Sequence, residues 1–231
     1  MTENRFNLKA YSPYSKQNET CLIEGESGIF YPGVRTENIS FPLSISAVQA
    51  AICSCLANRD QPIRFYQDKP ESELKTFWTD QFNLEISKSL PEDIRLYDPI
   101  LNNDIHIVDT LEQLCENAVT IHSDFPVAAL LETDKGFIPG ANIEIGAWSL
   151  GLCAERVAIS RALSAGFASF LCMHIYAPKG QFSSPCGACR QVLAEHMPGK
   201  PVELHHNKIS LSRHLTNHLL PYGFITKSLN K

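Results

Sequence analysis

The chain has 231 residues, of which 44% are hydrophobic and 19% charged, and its formal net charge is −5. Such a composition is typical of a globular protein with a buried core, and no apolar run reaches the roughly 20 residues that a membrane helix needs. Residues 109–231 hold 10 Lys+Arg against 10 Asp+Glu, and residues 1–108 hold 10 against 15. Neither half therefore offers the basic surface expected of a nucleic-acid-binding protein.

The start of the chain and its cysteines favour a cytoplasmic location. Residues 1–5 lead into no apolar signal core. The 8 cysteines could form disulfides in a secreted protein, but without a secretory signal a reducing compartment is the better interpretation. Free or metal-bound thiols are expected.

The first clear element is a helix predicted over Ser46–Asn58. Cys53 and Cys55 lie inside it at a spacing unsuited to a Cys-x-x-Cys site, so both are expected to face the core. Turn signals then cluster between Leu90 and Asn103. This stretch predicts a boundary between two α/β units.

The second unit shows a regular alternation of helices and strands. Asp109 or Thr110 is expected to cap a helix that runs to about Ile121, with Thr110 and Gln113 resembling a capping box. The elements predicted after it are a hairpin (Val127–Glu132, a turn at Asp134–Gly136, Phe137–Ile143), the helix Cys153–Ala165, the strand Phe170–Tyr176, the helix Cys186–Glu195 and the strand Val202–His206. The alternation predicts a mixed sheet layered with helices.

An internal repeat links the two units. Residues 140–163 align with residues 33–56 at a constant offset of 107, with seven identities in 24 positions. Under this alignment Cys153 corresponds to Ser46, and Glu155 corresponds to Val48. The first copy therefore lacks both a thiolate and a proton carrier at these positions.

Three cysteines have the spacing of a zinc site. Cys186 and Cys189 form a Cys-x-x-Cys motif at a predicted helix start, and Cys153 begins the other helix. A catalytic zinc has three protein ligands and leaves its fourth position open, whereas a structural zinc has four. A fourth ligand could come from His196, His205 or His206, although each is more simply a surface or strand histidine. Cys21, Cys115 and Cys172 are expected in the core.

Two arginines follow the cysteine motifs. Three thiolates on Zn²⁺ carry a net charge of −1, which makes a bound water less acidic. Arg156 and Arg190 are near enough in sequence to donate hydrogen bonds to thiolate sulfur and offset this charge. Each could instead be an ordinary exposed helix residue.

These motifs resemble the cytidine deaminase family over about residues 109–224. The resemblance lies in Gly140-Ala-Asn-Ile-Glu144, Cys153-Ala-Glu-Arg-Val-Ala-Ile159 and Ser184-Pro-Cys-Gly-Ala-Cys-Arg-Gln-Val-Leu193. It implies a three-layer α/β/α cytidine deaminase-like sandwich in two tandem copies. Residues 1–95 would be a degenerate, non-catalytic copy, 96–108 a linker and 109–231 the catalytic domain.

The resemblance also implies roles for individual residues. One Zn²⁺ per chain would bind Cys153, Cys186 and Cys189, and Glu155 would carry protons. The implied substrate contacts are Asn142 and Glu144 to ribose, Phe125 to the pyrimidine, Ala154, and Phe224, which either reaches a neighbouring subunit's pocket or packs in the core. Arg156 and Arg190 would support the thiolates.

The implied reaction is hydrolytic deamination of cytidine or deoxycytidine to uridine or deoxyuridine and ammonia, by a zinc-bound hydroxide, in pyrimidine salvage. The partner would be a small pyrimidine nucleoside rather than nucleic acid or a membrane, and a homodimer would mimic a four-domain assembly. Departures from the family pattern at Ile121-His122-Ser123, before Ala128 and at Ile145 affect substrate fit. The alternatives are deamination of a modified nucleoside or of a base in nucleic acid, and a zinc-stabilised binding protein without activity.

Overall fold

The structure is a computed structural model that describes residues 6–66, 73–206 and 210–224, with the side chains of 73–75 left aside. The start of the chain, from which a cytoplasmic location is predicted, lies outside these residues. Two five-stranded sheets organise the described chain. The first contains β1 (Thr20–Gly25), β2 (Ile29–Val34), β3 (Pro62–Tyr66), β4 (Glu85–Ser87) and β5 (Arg95–Leu96). The second contains β6 (Ala128–Thr133), β7 (Gly136–Ala141), β8 (Cys172–Tyr176), β9 (Pro201–His205) and β10 (Leu211–Leu215).

Four strands of each sheet share a topology, whereas the fifth strand lies at opposite edges, β5 beside β2 and β10 beside β9. Their strand orders are β4-β3-β1-β2-β5 and β10-β9-β8-β6-β7. In each sheet the two hairpin strands pair antiparallel, a third strand adds antiparallel, and a fourth adds parallel to the third. The internal repeat of the sequence therefore corresponds to a repeat of structure.

Helices cover the sheets. They are α1 (Ala47–Leu56), α2 (Glu73–Gln81), α3 (Ile107–Leu114), α4 (Ala154–Ser164), α5 (Gly187–His196) and α6 (Thr216–Leu219). On one face of the second sheet, α4 and α5 pack against Leu131, Met173 and Leu204. On the other face, α3 packs through Leu111 against Leu130, so this half is a three-layer α/β/α sandwich.

Glycine allows the central helix of each half to approach its sheet. A Cβ on Gly33 would lie 2.1 Å from the carbonyl oxygen of Ala47 in α1, and a Cβ on Gly140 would lie 2.1 Å from that of Ala154 in α4. Real Cβ atoms do not approach a backbone oxygen so closely, because the interior is already packed at van der Waals contact. Both glycines of the repeat are thus explained by the same close contact.

The two halves contact each other through their central helices. Gln49 Nε2 donates to the carbonyl of Leu150 at 2.8 Å, and Arg156 Nη2 donates to the carbonyl of Leu43 at 2.9 Å. Gln49 and Leu43 are the repeat equivalents of Arg156 and Leu150. The two hydrogen bonds are therefore reciprocal, as expected of two copies related by an approximate twofold axis.

Most predicted elements are confirmed, with shifted ends. The helix predicted over Ser46–Asn58 is α1, which Ser46 caps through its side chain, and Cys53 and Cys55 are buried as expected. Cys21 and Cys172 are also buried, whereas Cys115 is only half-buried. The predicted turn at Asp134–Gly136 joins β6 to β7.

The prediction for the helix after residue 108 is wrong at both ends. The helix α3 begins at Ile107, with His106 at its N-cap, and α-helical structure ends at Leu114. His106 Nδ1 lies 3.1 Å from the carboxylate of Asp109, which favours the earlier start. Val119 donates its N–H to the carbonyl of Asn142, so the chain is already extended where the helix was expected to continue.

The predicted linker, residues 96–108, contacts both halves of the structure. Leu96 pairs with Phe30 in the first sheet, whereas Leu101 exchanges two backbone hydrogen bonds with Phe137 in the second half. The division into domains 1–95 and 109–231 stays a prediction. Within the described residues, the helices are too short or too polar to cross a membrane.

Candidate metal centre and active site

Two helix starts bring three thiols together. Cys153 is the N-cap of α4, Cys186 is the N-cap of α5, and Cys189 lies in the first turn of α5. The three sulfur atoms lie within 4.8 Å of one another, and the Sγ atoms of Cys153 and Cys186 are 3.7 Å apart. Tetrahedral zinc with Zn–S bonds of about 2.3 Å requires S···S distances of about 3.8 Å. The three cysteines therefore fit a zinc ion.

The thiols differ in acidity. The pKa of Cys186 is held far below its usual range, first because Cys153 and Cys189 hydrogen-bond to its sulfur and then because the N–H groups of Ala188 and Cys189 point at it. The N-terminus of a helix stabilises a thiolate in this way. Cys186 is also the most exposed of the three sulfur-bearing side chains.

Glu155 follows Cys153 by one residue and is buried in the first turn of α4. Burial raises the pKa of its carboxyl group to about 7, and the negative charge of Cys186 acts in the same direction. A buried carboxyl group that titrates near neutral pH can both accept and donate a proton. Its place beside three metal-ligand candidates is typical of a catalytic site rather than of a structural zinc site.

The two arginines take different partners. Arg156 is buried, and its Nη2 donates to Leu43 across the contact between the halves, while its Nε is buried without a hydrogen-bond partner among the described residues. Arg190 Nε donates to the carbonyl of Pro185 at 2.9 Å, and its Nη2 donates to Ser184 Oγ. Arg190 thus holds the segment before Cys186. Support of the thiolates by either arginine stays a prediction.

The predicted ribose-binding pair is held by the segment before β6. Asn142 accepts from the N–H of Val127 at 2.7 Å and donates to the carbonyl of Phe125 at 3.0 Å. The Glu144 carboxylate accepts from the N–H groups of His122 and Ser123 and from the Ser123 hydroxyl. Burial alone would raise the pKa of Glu144, but these hydrogen bonds outweigh it and lower the pKa. Glu144 is therefore an ionised acceptor.

Known proteins with similar sequences share this cysteine-containing region. Residues 101–202 match the family model for the cytidine and deoxycytidylate deaminase zinc-binding region. The chain is 42% identical over 117 residues to a cytidine deaminase of Sporosarcina psychrophila, covering 50% of this chain and 86% of that protein. It is 38% identical over 120 residues to a cytidine deaminase of Halalkalibacterium halodurans, covering 51% of this chain and 91% of that protein.

The chain belongs to the cytidine deaminase family. It is a hydrolase of this family, and the resemblance drawn from its motifs is confirmed. Among solved structures, a cytidine deaminase of Burkholderia pseudomallei is 32% identical, with a TM-score of 0.48 over 51% of this chain and 95% of that one. These matches cover about half of the chain.

Two departures from the family pattern contact each other. A ring nitrogen of His122 lies 3.3 Å from the carbonyl oxygen of Ile145, and the His122 ring meets Trp148 edge to face. The N–H groups of His122 and Ser123 both bind Glu144. Sequence reasoning treated His122 and Ser123 only as departures and missed that they hold Glu144. The near-match of Tyr14-Ser15 in the first copy could have indicated this role.

The remaining predicted substrate residues lie in different surroundings. Ala154 is fully buried at the start of α4. The Phe125 ring is 38% exposed, and Phe224 is 49% exposed, with its carbonyl accepting from Gln191 Nε2. Packing of Phe224 in the core, one of its two expected roles, is therefore wrong. Its contact with a neighbouring subunit stays a prediction.

The first copy keeps the frame of this site without its chemistry. Glu37, the equivalent of Glu144, accepts from the N–H groups of Tyr14 and Ser15 and from the Ser15 hydroxyl. Ser46 caps its own helix, and Val48 is a buried apolar residue. The repeat thus preserves a polar anchor in both halves, whereas Cys153 and Glu155 have no equivalents in the first half.

Proposed function

We propose that the chain hydrolyses the exocyclic amine of cytidine and deoxycytidine, which gives uridine or deoxyuridine and ammonia, in pyrimidine salvage. One observation carries the proposal. Glu155, buried and with a pKa of about 7, lies one residue after Cys153 in a cluster of three sulfurs spaced for zinc. The relatives named cytidine deaminase support the choice of substrate.

Cys153, Cys186 and Cys189 would hold one zinc ion at this site. When bound, zinc lowers the pKa of a coordinated water and so supplies a nucleophile at neutral pH. The helix N-termini behind Cys153 and Cys186 stabilise the thiolates and orient N–H groups toward developing negative charge. The predicted role of Arg156 and Arg190 is to reduce the charge that the thiolates donate.

Glu155 carries the protons. Its carboxylate takes a proton from the attacking water and delivers it to N3 of the pyrimidine as the new bond to C4 forms. The regenerated carboxylate then takes the second proton from the hydroxyl now on C4 and passes it to the amine nitrogen. The C4–N bond breaks, and ammonia leaves. A group with a pKa near 7 is suited to both directions of transfer.

The other predicted residues would place the nucleoside. The ionised Glu144 can accept a hydrogen bond from a ribose hydroxyl, and Asn142 positions the segment that carries Phe125. The partly exposed ring of Phe125 offers an apolar surface to a pyrimidine. The backbone of Ala154, at the start of α4, and the ring of Phe224 complete the proposed substrate contacts.

The N-terminal half would supply packing and assembly geometry. Gln49 of α1 and Arg156 of α4 each donate a hydrogen bond to the segment that precedes the central helix of the other half. Two chains would then form a cytoplasmic homodimer that resembles a four-domain assembly. The domain boundaries at residues 95 and 109 belong to this proposal.

The test is a substrate panel read by ultraviolet absorbance and ammonia release. Zinc-loaded protein is assayed with cytidine, deoxycytidine, base-modified analogues and single-stranded oligonucleotides. Cytidine or deoxycytidine should be converted, and Cys186→Ser should abolish conversion and bound zinc at the thiolate site, whereas Cys115→Ser should leave both. Conversion of only the oligonucleotides or the modified nucleosides would contradict the proposed substrate. If the fully zinc-loaded protein converted none of these compounds, the proposed deaminase activity would be wrong.

A further inference from the structure

A second group of possible metal ligands lies on the α3 side of the second sheet, apart from the three cysteines. His174 is on β8, and Glu203 and His205 are on β9. His174 pairs with Glu203 in the strand register, and alternate residues of a strand point to the same face. His174 and His205 are each 5% exposed or less, so their rings meet inside the protein.

The distances within this cluster match a tetrahedral metal. His174 Nδ1 lies 3.2 Å from Glu203 Oε2 and 3.4 Å from His205 Nε2, and one atom from each residue lies within 4.8 Å of the others. Ligand bonds of about 2.0–2.1 Å require ligand-to-ligand distances of about 3.3 Å. The two distances from His174 Nδ1 therefore match those of a His₂Glu zinc site, and the third ligand atom pair lies within 4.8 Å.

Hydrogen bonding alone leaves this arrangement incomplete. His174 Nδ1 faces both Glu203 and His205 but carries at most one proton. Its other nitrogen, Nε2, is buried without a hydrogen-bond partner among the described residues and lies 3.8 Å from a carboxylate oxygen of Glu132. A metal ion on Nδ1 would place the proton on Nε2, where it points toward Glu132. A histidine that binds a metal commonly donates its other N–H to a carboxylate in this way.

The local charge also favours a cation. Glu203 and Glu132 both approach His174, and the cation paired with Glu203 in the described structure is Arg213, at 3.6 Å and with a side chain 65% exposed. Imidazole nitrogens suit zinc and neighbouring transition metals, whereas magnesium and calcium prefer oxygen ligands. We propose that His174, Glu203 and His205 bind a divalent transition-metal ion, with Glu132 orienting His174.

Such an ion would join β8 to β9 close to the predicted catalytic loop. The carbonyl of His205 accepts from Ser183 Oγ at 2.6 Å, and the N–H of Ser183 donates to His206 Nδ1 at 3.2 Å. Ser183 precedes Cys186 by three residues. The end of β9 thus holds the loop that leads into the zinc cysteines, and the ion would stabilise this connection rather than take part in the reaction.

The test counts metal ions in the full chain. Protein stripped with a chelator is reloaded with zinc alone, dialysed, and analysed for zinc per chain by mass spectrometry. Wild type should retain two ions, the double variant Glu203→Gln with His205→Gln should retain one, and Cys153→Ser with Cys186→Ser should retain the other. His214→Gln, on β10 and facing the opposite side of the sheet, is the matched control and should retain two.

Two further measurements identify the site. Cobalt at the thiolate site should give strong sulfur-to-metal charge-transfer bands, whereas the second equivalent should give only weak visible bands that the Glu203/His205 variant lacks. Glu132→Gln should weaken zinc binding at this site by about 10- to 100-fold, as expected of a group that orients a ligand. The Glu203/His205 double variant removes two metal ligands without enlarging a side chain. If that double variant does not fold, His205→Gln alone is used in its place.

One zinc in wild type, unchanged in the Glu203/His205 variant, would overturn the inference. So would a second ion that the Glu203/His205 variant retains. Both outcomes concern metal content, so they are distinguishable from a failure of the proposed deaminase activity. Because both sites lie in the C-terminal half, two ions per chain would not indicate metal chemistry in the first copy.

Discussion

Arg161 and Ser54 lie at equivalent positions of the two halves, 107 residues apart, and bind each other directly. The guanidinium donates to the Ser54 hydroxyl at 3.0 Å and also to its carbonyl. Two equivalent residues can meet in this way only near the axis that relates the two copies. The buried arginine thus occupies the centre of the contact between α1 and α4, where the first copy has a small serine.

Arg161→Met should destabilise this contact. Arg161 is 3% exposed and also donates to the carbonyl of Pro139 at 2.8 Å, so its removal leaves buried acceptors without partners. Such a loss should lower the free energy of unfolding by about 2–4 kcal/mol. Urea denaturation of zinc-loaded protein measures it. Arg95→Met, at an exposed position, is the control, and a loss below about 0.5 kcal/mol at Arg161 would contradict a central role.

Glu155→Gln should remove activity without removing the metal. Glutamine keeps the shape of the side chain but cannot carry a proton, so kcat should fall by about 100- to 10,000-fold. Zinc content and the unfolding midpoint should stay close to wild type. Glu26→Gln, on the exposed β1–β2 turn, is the matched control. Near-normal turnover of cytidine by the Glu155 variant would show that another group carries the proton.

Gly140→Ala and Gly33→Ala should damage the two halves in parallel. In each case the new Cβ would lie 2.1 Å from a helix carbonyl oxygen, so the helix must shift. The free energy of unfolding of each variant should fall by about 1–3 kcal/mol, as expected of an overpacked core. Gly140→Ala should also reduce kcat directly, because α4 carries Glu155.

Thermal unfolding and steady-state kinetics on both glycine variants test this relationship. Gly187→Ala is a control for stability alone, since a Cβ there would meet nothing within 4 Å. If Gly33→Ala reduced kcat as strongly as Gly140→Ala, the assignment of the chemistry to one half would be weakened.

His196 should make the protein less stable as the pH falls. Its ring packs on Tyr11, its Nε2 is buried without a partner in the described part of the chain, and burial lowers its pKa to about 4. In the unfolded chain the imidazole becomes protonated near its ordinary pKa of 6.5, whereas in the folded chain it stays neutral until the pH approaches 4. Protonation therefore favours the unfolded state, so stability is greatest above pH 6.5 and falls as the pH drops from 6.5 to 4. The loss should reach about 2–3 kcal/mol.

Urea denaturation at pH 7 and pH 4.5 measures this loss. His196→Phe keeps a ring against Tyr11 and should lose less stability between the two pH values than wild type. His218→Phe, at an exposed position of α6, should behave as wild type. Equal pH dependence in wild type and His196→Phe would show that the histidine does not titrate as proposed.

Several features of the site could be predicted from sequence because they depend on short-range geometry. A Cys-x-x-Cys pair at a helix start places two sulfurs on one side of the chain, and Glu155 in the first turn follows Cys153 by one residue. The constant offset of 107 also revealed the repeat and the groups that its first copy lacks. Helix starts and repeats are local patterns, so they can be recognised without knowing how the chain folds back.

Tertiary structure alone decided which distant residues meet. The start of α3 at Ile107, the binding of Glu144 by His122 and Ser123, and the pairing of Arg161 with Ser54 follow from packing between segments. His205 appeared in the sequence as an ordinary strand histidine. The parallel register of β8 and β9 places it against His174, and no local pattern specifies that register, because it depends on how both strands bury their apolar faces against α4 and α5.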